Sequence, residues 1–95
     1  MVQGALGGVV QIRKSLIIII LEVIILFERV RNLREDRDIN QTQIAEYLQV
    51  HQTTYSDYEL GNLNIPIDVL IKLAKFYNTS IDYLVGLTDN PRPYK

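Results

Sequence analysis

Uncharged hydrogen-bonding side chains are concentrated at the start of two short segments in the middle of the chain. Gln41, Thr42 and Gln43 open the first segment, and Gln52 and Thr53 open the second. Amides and hydroxyls of this kind donate and accept hydrogen bonds without carrying charge. They are therefore suited to recognising the polar groups of a partner and not to breaking covalent bonds.

The second segment is predicted to be a helix with one polar face. Tyr55 and Tyr58 lie three residues apart, which is the spacing of side chains that face a core together. The opposite face then carries four polar side chains: Gln52, Thr53, Ser56 and Asp57. Such a face is weak evidence of a binding site when taken alone, because most helix surfaces are polar.

The residues that most enzymes and metal sites need are missing. The chain contains no cysteine and a single histidine, His51, which excludes disulfides, thiolate zinc sites and a multi-histidine metal site within one chain. The nearby carboxylates Asp36 and Asp38, and likewise Glu28 and Glu35, are interpreted as capping or surface charge. We expect no enzymatic activity and no cofactor.

Apolar periodicity and capping signals predict five short helices. The first covers about 27–35, and the second begins after Asn40, an N-cap residue that Gln43 completes as a capping box. Ala45 is small enough to let another helix cross the second one closely. The third helix runs over about 52–60 and stops at the following glycine.

The remaining helices are predicted from a proline and a polar cap. The fourth begins near Pro66, because proline suits the first turn of a helix, and the fifth covers about 81–86 after the cap residues 78–80. We therefore divide the chain into an apolar extension (1–25), a helical domain (26–89) and a tail (90–95).

The apolar block Leu16–Phe27 has three competing interpretations. A membrane-spanning helix needs about 20 apolar residues, and this block is shorter and contains Glu22, so membrane function is disfavoured. A translated leader is the second interpretation, because Leu21–Ile24 can be encoded by a purine-rich ribosome-binding site and Leu26 by an alternative start codon. The third is an extra helix or strand that packs on the domain or on a second copy, which predicts self-association.

The stretch Gln41–Gly61 resembles the helix-turn-helix of the Cro/CI (XRE) family, and the resemblance continues through Ile65–Pro66, 70–74 and 78–86. It implies an all-α fold, a five-helix lambda-repressor-like DNA-binding domain preceded here by the apolar segment. It also implies a cytoplasmic transcriptional regulator that represses from double-stranded operator DNA, as a homodimer on palindromic half-sites. The matching positions are Gln41, Ala45, Leu48, Val50, Thr54, Ser56, Glu59 and Gly61, with apolar replacements at Ile44 and Tyr55.

The resemblance also implies roles for individual residues. Gln41 would reach a phosphate, and Gln52 would pair with the N6 and N7 atoms of adenine. Glu59 would hold the third helix to neighbouring backbone or to an arginine of the first helix. The implied DNA-binding residues are Gln41, Gln43, His51, Gln52, Thr53, Thr54, Ser56, Asp57, Asn62 and Asn64.

Several residues depart from the family pattern. Gln49 replaces a turn glycine, which costs about 1 kcal/mol if the residue is left-handed, and His51 replaces the usual hydroxyl cap of the third helix. Asp57, Leu60 and Leu63 favour an alternative function, a protein-binding antitoxin or anti-repressor.

The charge balance also bears on affinity. From Glu28 onward, the chain contains eight basic and ten acidic residues. We therefore expect few phosphate ion pairs, weak binding by a single domain and a need for dimerisation. Whether the arginines of the first helix contact phosphate or only solvent is left open by the pattern: Arg29, Arg31 and Arg34.

Overall fold

The computed structural model describes the backbone of residues 2–93 and the side chains of residues 15–93. Within these residues the secondary structure is entirely helical, as the sequence predicted. The elements are α1 (Val2–Asp36), α2 (Gln41–Leu48), α3 (Gln52–Leu60), α4 (Ile67–Phe76) and α5 (Ile81–Leu84).

Helix α1 is much longer than the apolar pattern predicted, because it begins at Val2 and not near Phe27. The stretch Leu16–Phe27 contains no glycine or proline, and a helix satisfies every backbone N–H and C=O within its own segment. Consecutive isoleucines favour strands, but a strand needs a neighbour for its hydrogen bonds, and the described residues form no other strand. Within the described residues, no helical stretch has both the length and the apolarity needed to cross a bilayer.

The caps of α2 and α3 follow the sequence prediction closely. Asn40 Oδ1 accepts from the backbone N–H of Gln43 at 2.8 Å, and the Gln43 side chain accepts from the Asn40 N–H at 2.9 Å, so the capping box is complete. Gln49 ends α2 in the left-handed conformation, with φ 60° and ψ 43°. Gly61 ends α3 with φ 78°, and a Cβ there would lie 2.8 Å from the ring of Phe27.

The last two helices begin and end slightly differently from their predicted bounds. Pro66 precedes α4 as its N-cap residue and is not its first helical residue. Ser80 caps α5 by accepting from the Tyr83 N–H at 3.0 Å, as expected of the polar stretch before it. α5 ends at Leu84, because Gly86 adopts φ 85° and turns the chain away from the helix.

The core lies where α1–α5 meet. Val30 of α1 is fully buried, and Ala45 is 2% exposed, as a close approach of α2 requires. Tyr77 is 1% exposed, and burial raises its pKa to about 12. The buried cluster comprises Val30, Ile44, Ala45, Leu48, Tyr55, Tyr58, Ile65, Val69, Leu70, Leu73, Ala74, Tyr77 and Leu84.

Two arginines of α1 point into the domain and not to solvent. The Arg29 guanidinium donates to the carbonyls of Tyr83 and Thr88, pairs with Asp89 at 2.9 Å and lies over the Tyr83 ring. Arg34 forms a bidentate ion pair with Glu59 of α3, with N–O distances of 2.6 and 3.0 Å. These bonds attach α1 to α5 and to α3, so neither guanidinium is a free surface charge.

The Arg34–Glu59 pair is largely shielded from solvent, with side-chain exposures of 14% for Arg34 and 5% for Glu59. Burial alone would raise the pKa of Glu59, but the hydrogen bonds that its carboxylate accepts outweigh burial, so the pKa lies below its ordinary value. The buried hydroxyl of Tyr55 lies near the same carboxylate without forming a hydrogen bond of normal geometry to a described residue. Burial first, and then Glu59, raises the pKa of Tyr55, which stays neutral.

Replacing Gln49 tests the strain at the end of α2. We expect Gln49→Gly to raise the free energy of unfolding by about 1 kcal/mol, because glycine adopts the left-handed conformation without steric cost. Gln49→Ala is the matched control, since it removes the same side chain and keeps the Cβ. Urea denaturation measures both variants, and a glycine variant no more stable than the alanine variant would contradict the strain.

Replacing Glu59 tests the buried pair. We expect Glu59→Gln to lower the free energy of unfolding by about 3 kcal/mol, because the Arg34 charge stays buried without its partner. Because the folded-state pKa of Glu59 is depressed, its contribution is present above the ordinary value of 4.5 and is lost as pH falls through the folded value. Between pH 5 and 2 the wild type should therefore lose stability more steeply than the variant, and parallel curves would contradict this role.

Candidate nucleic-acid interface

The first residues of α2 and α3 lie beside each other at the surface. Gln41 begins α2 and Gln52 begins α3, and the Gln52 Nε2 donates to the Gln41 Oε1 at 2.7 Å. The N-terminus of a helix carries unpaired N–H groups and a partial positive charge. Two such ends side by side form a surface that favours an anionic partner.

A chain of hydrogen bonds connects this surface to the buried ion pair. Gln41 Nε2 donates to Glu59 Oε1 at 3.1 Å, and Glu59 is held in turn by Arg34. Glu59 therefore orients the Gln41 amide from the interior side, so that the amide oxygen is directed to Gln52. Gln52 uses one Nε2 hydrogen for this contact, which leaves its other N–H and its Oε1 without a bond to a described residue.

The rest of the predicted α3 face is partly occupied by contacts within the domain. Thr53 is exposed, whereas Thr54, Ser56 and Asp57 are half-buried. The Asp57 carboxylate accepts from Asn62 Nδ2 at 3.3 Å, and the Asp57 carbonyl accepts from the Asn62 N–H at 2.9 Å. These two hydrogen bonds hold Asn62 against the C-terminal part of α3, where Asn62 and Asp57 form one continuous polar surface.

Three other predicted residues do not join this group. The Gln43 side chain turns back to the Asn40 N–H, so its oxygen serves the cap of α2. His51 is exposed at the N-cap position of α3 and makes no capping hydrogen bond through its side chain, as expected of a poor cap. Asn64 is exposed in the loop before α4.

Arg31 is a cation that the sequence pattern left undecided. Its side chain is 61% exposed, and its one ion pair with a described residue is a long contact of 3.5 Å with Glu35. It lines a shallow open cleft beside Gln41, together with Arg34, Glu59 and Leu60. The sequence left the roles of Arg29, Arg31 and Arg34 open alike, and only their tertiary contacts separate them.

The described residues contain no group of three or more His, Cys, Asp or Glu side chains arranged to hold a metal ion. The polar groups at the two helix N-termini are the amides of Gln41 and Gln52, with Arg31 at their edge and the ion pair of Arg34 beneath them. The chemistry of this interface is hydrogen-bond donation and acceptance at two helix N-termini.

Comparison with known proteins identifies the domain. A helix-turn-helix family model matches residues 30–84. The uncharacterized HTH-type transcriptional regulator YobD of Bacillus subtilis is 38% identical over 66 residues, which are 70% of this chain and 59% of that protein. The cryptic phage CTXphi transcriptional repressor RstR of Vibrio cholerae is 40% identical over 58 residues, covering 61% of this chain and 52% of RstR.

Two further matches extend this comparison: one covers a larger share of the relative's length, and the other is a superposition on a solved structure. The control protein C.SmaI of Serratia marcescens is 38% identical over 61 residues, covering 64% of this chain and 73% of C.SmaI. The crystal structure of a transcriptional regulator from Listeria innocua superposes with a TM-score of 0.63 at 34% identity, covering 68% of this chain and 61% of that one. This chain thus spans little more than half the length of YobD and RstR. The family match covers every helix of the domain from the buried part of α1 to α5, and the chain belongs to the helix-turn-helix family, in its Cro/CI form.

Proposed function

We propose that this protein binds double-stranded DNA through α3 and regulates transcription as a repressor. The single observation that carries the proposal is the hydrogen bond between Gln52 and Gln41 at the two adjacent helix N-termini. In this arrangement, α3 enters the major groove with Gln52 first, while Gln41 lies beside a backbone phosphate.

The free groups of Gln52 favour adenine as the base that is read. Adenine presents the N6 amino group as a donor and N7 as an acceptor in the major groove. Gln52 offers the complementary pair, because its Oε1 and its second Nε2 hydrogen make no bond to a described residue. Its contact with Gln41 restricts rotation of the amide, so less conformational entropy is lost on pairing.

Repression is supported by the names of the relatives and by the fact that a DNA-bound domain can block a promoter without any further activity. RstR is named a transcriptional repressor, and YobD and the Listeria innocua protein are named transcriptional regulators. A domain that occupies a major groove at a promoter represses by exclusion alone. We place its action in the cytoplasm, where bacterial operators are accessible.

A homodimer on palindromic half-sites is part of the same proposal. Arg29 and Arg34 of α1 are committed to contacts inside the domain, so one domain supplies few cations for phosphate. Weak binding by one domain is offset when a second domain engages a half-site about 34 Å away. The palindrome then follows from the two-fold symmetry of the protein.

Selection from a random duplex pool tests the reading by Gln52. At moderate salt, the wild-type chain should enrich a palindrome with an adenine at one position in each half-site. Gln52→Ala should bind that palindrome roughly tenfold or more weakly and lose the preference at that position, because a bidentate pair is worth about 1–3 kcal/mol.

The exposed Gln49 provides the control, since Gln49→Ala removes an amide outside α3 and should select the wild-type palindrome. An unchanged palindrome with Gln52→Ala would assign base reading to another residue. Absence of enrichment at every salt concentration would replace DNA with a protein partner, the function that the exposed Leu60 and Leu63 would serve.

The salt dependence of binding tests the charge argument. If each chain makes about two phosphate ion pairs, the logarithm of the association constant should fall with the logarithm of salt with a slope near −4 for a dimer. Arg31→Gln should reduce the magnitude of this slope by about two, one ion pair for each chain. A titration by fluorescence anisotropy measures it, and a slope near −8 would mean that other cations carry the contact.

A further inference from the structure

The middle of α1, from Leu16 to Ile24, exposes a continuous aliphatic surface. Eight side chains between residues 16 and 24 are each 41–56% exposed, although all are leucine, isoleucine or valine. Monomeric proteins rarely leave a contiguous apolar surface of this kind uncovered. The exposed residues are Leu16, Ile17, Ile18, Ile19, Ile20, Leu21, Val23 and Ile24.

The sequence of α1 carries a heptad pattern along its whole length. With Leu16 at position a, every a and d position from residue 2 to residue 33 is apolar. The polar residues of the N-terminal two thirds, Gln3, Gln11, Arg13, Lys14, Ser15 and Glu22, all fall at other positions. The a positions are Val2, Val9, Leu16, Val23 and Val30, and the d positions are Ala5, Ile12, Ile19, Leu26 and Leu33.

Within the described residues, the a/d stripe is buried towards the C-terminal end of α1 and exposed further upstream. Val30 is fully buried, and Leu26 and Leu33 pack against the core of the domain. Leu16 and Ile19 continue the same stripe, but they are 55% and 54% exposed. The seam that α1 uses to pack on its own domain thus extends beyond the end of that domain, where Leu16 and Ile19 pack on no other described part of the chain.

We propose that the a/d stripe of α1 at Leu16, Ile19 and Val23 pairs with the same stripe of a second copy, as a parallel two-stranded coiled coil. Valine predominates at the a positions, and β-branched residues there favour two strands. A parallel pair leaves both domains side by side at the C-terminal end of the coil, which suits two adjacent half-sites. The inference rests on the proposed dimer for its purpose, but the pairing itself requires no DNA.

A membrane is the other surface that could cover aliphatic side chains. The position of Glu22 within the apolar stretch argues against it, because placing a carboxylate in hydrocarbon is energetically unfavourable. In a two-stranded coil Glu22 lies at position g, on the solvated flank of the seam. A second copy therefore fits the pattern better than a bilayer.

Disulfide trapping tests the pairing directly, because the chain contains no cysteine of its own. Ile19→Cys places a thiol at position d, and Ile17→Cys places one at position b with nearly the same exposure, 56% against 54%. After mild oxidation of the full chain without DNA, we expect a covalent dimer from Ile19→Cys at least tenfold faster than from Ile17→Cys. Equal rates for the two variants would indicate indiscriminate apolar association and overturn the proposal.

Sedimentation of the uncrosslinked protein completes the test. We expect a dimer for the wild type and for Ile17→Glu, and a dimer dissociation constant at least tenfold higher for Ile19→Glu. Thermal unfolding of the domain should be unchanged in both variants. A wild-type monomer, or a dimer in which neither cysteine variant crosslinks, would overturn the parallel pairing. So would transfer of the wild type from solution to phosphatidylcholine vesicles.

Binding to one half-site separates this proposal from the DNA-binding proposal. Ile19→Glu should bind an isolated half-site as the wild type does and lose affinity only for the full palindrome. If dimers form and no DNA binds, the pairing stands and the DNA-binding proposal fails. If DNA binds and Ile19→Glu leaves the affinity for the palindrome unchanged, the pairing is wrong.

Discussion

A buried ion pair between Arg34 of α1 and Glu59 of α3 is the contact on which the candidate interface depends. It offsets the cost of burying two charges by bidentate geometry, and the spare capacity of the carboxylate accepts from Gln41. Through Gln41 it reaches Gln52 at the surface. One interaction therefore both fastens α3 to the longest helix and orients the first side chain of the proposed recognition surface.

The interface relies on oriented amides more than on charge. Arg29 and Arg34 are used to hold α1 against α5 and α3, which leaves Arg31 as the exposed arginine beside Gln41. Electrostatic attraction to DNA is largely insensitive to sequence, whereas hydrogen bonds to base edges depend on it. A domain with this distribution gains selectivity and gives up affinity, which is the physical argument for the dimer proposed above.

Helix α1 shows that one periodic pattern can continue beyond the contact that it makes within its own domain. Its stripe packs on the core at Leu26, Val30 and Leu33, and the same spacing continues through Val23, Ile19 and Leu16 beyond the domain. Apolar periodicity indicates that a face will be buried, but it does not specify the partner. That is why the sequence left the segment open between helix and strand, and between domain packing and self-association.

The sequence alone determined the helical class, the capping box at Asn40, the limits of α3 and the buried face of Tyr55 and Tyr58, because these depend on local spacing and on residues such as Gly61 that end helices. It did not determine the start of α1, the burial of Tyr77 or the different uses of Arg29, Arg31 and Arg34. Those depend on which helices approach one another. Only the tertiary structure placed Gln41 between Glu59 and Gln52, since a hydrogen bond between helix ends requires the crossing of α2 and α3.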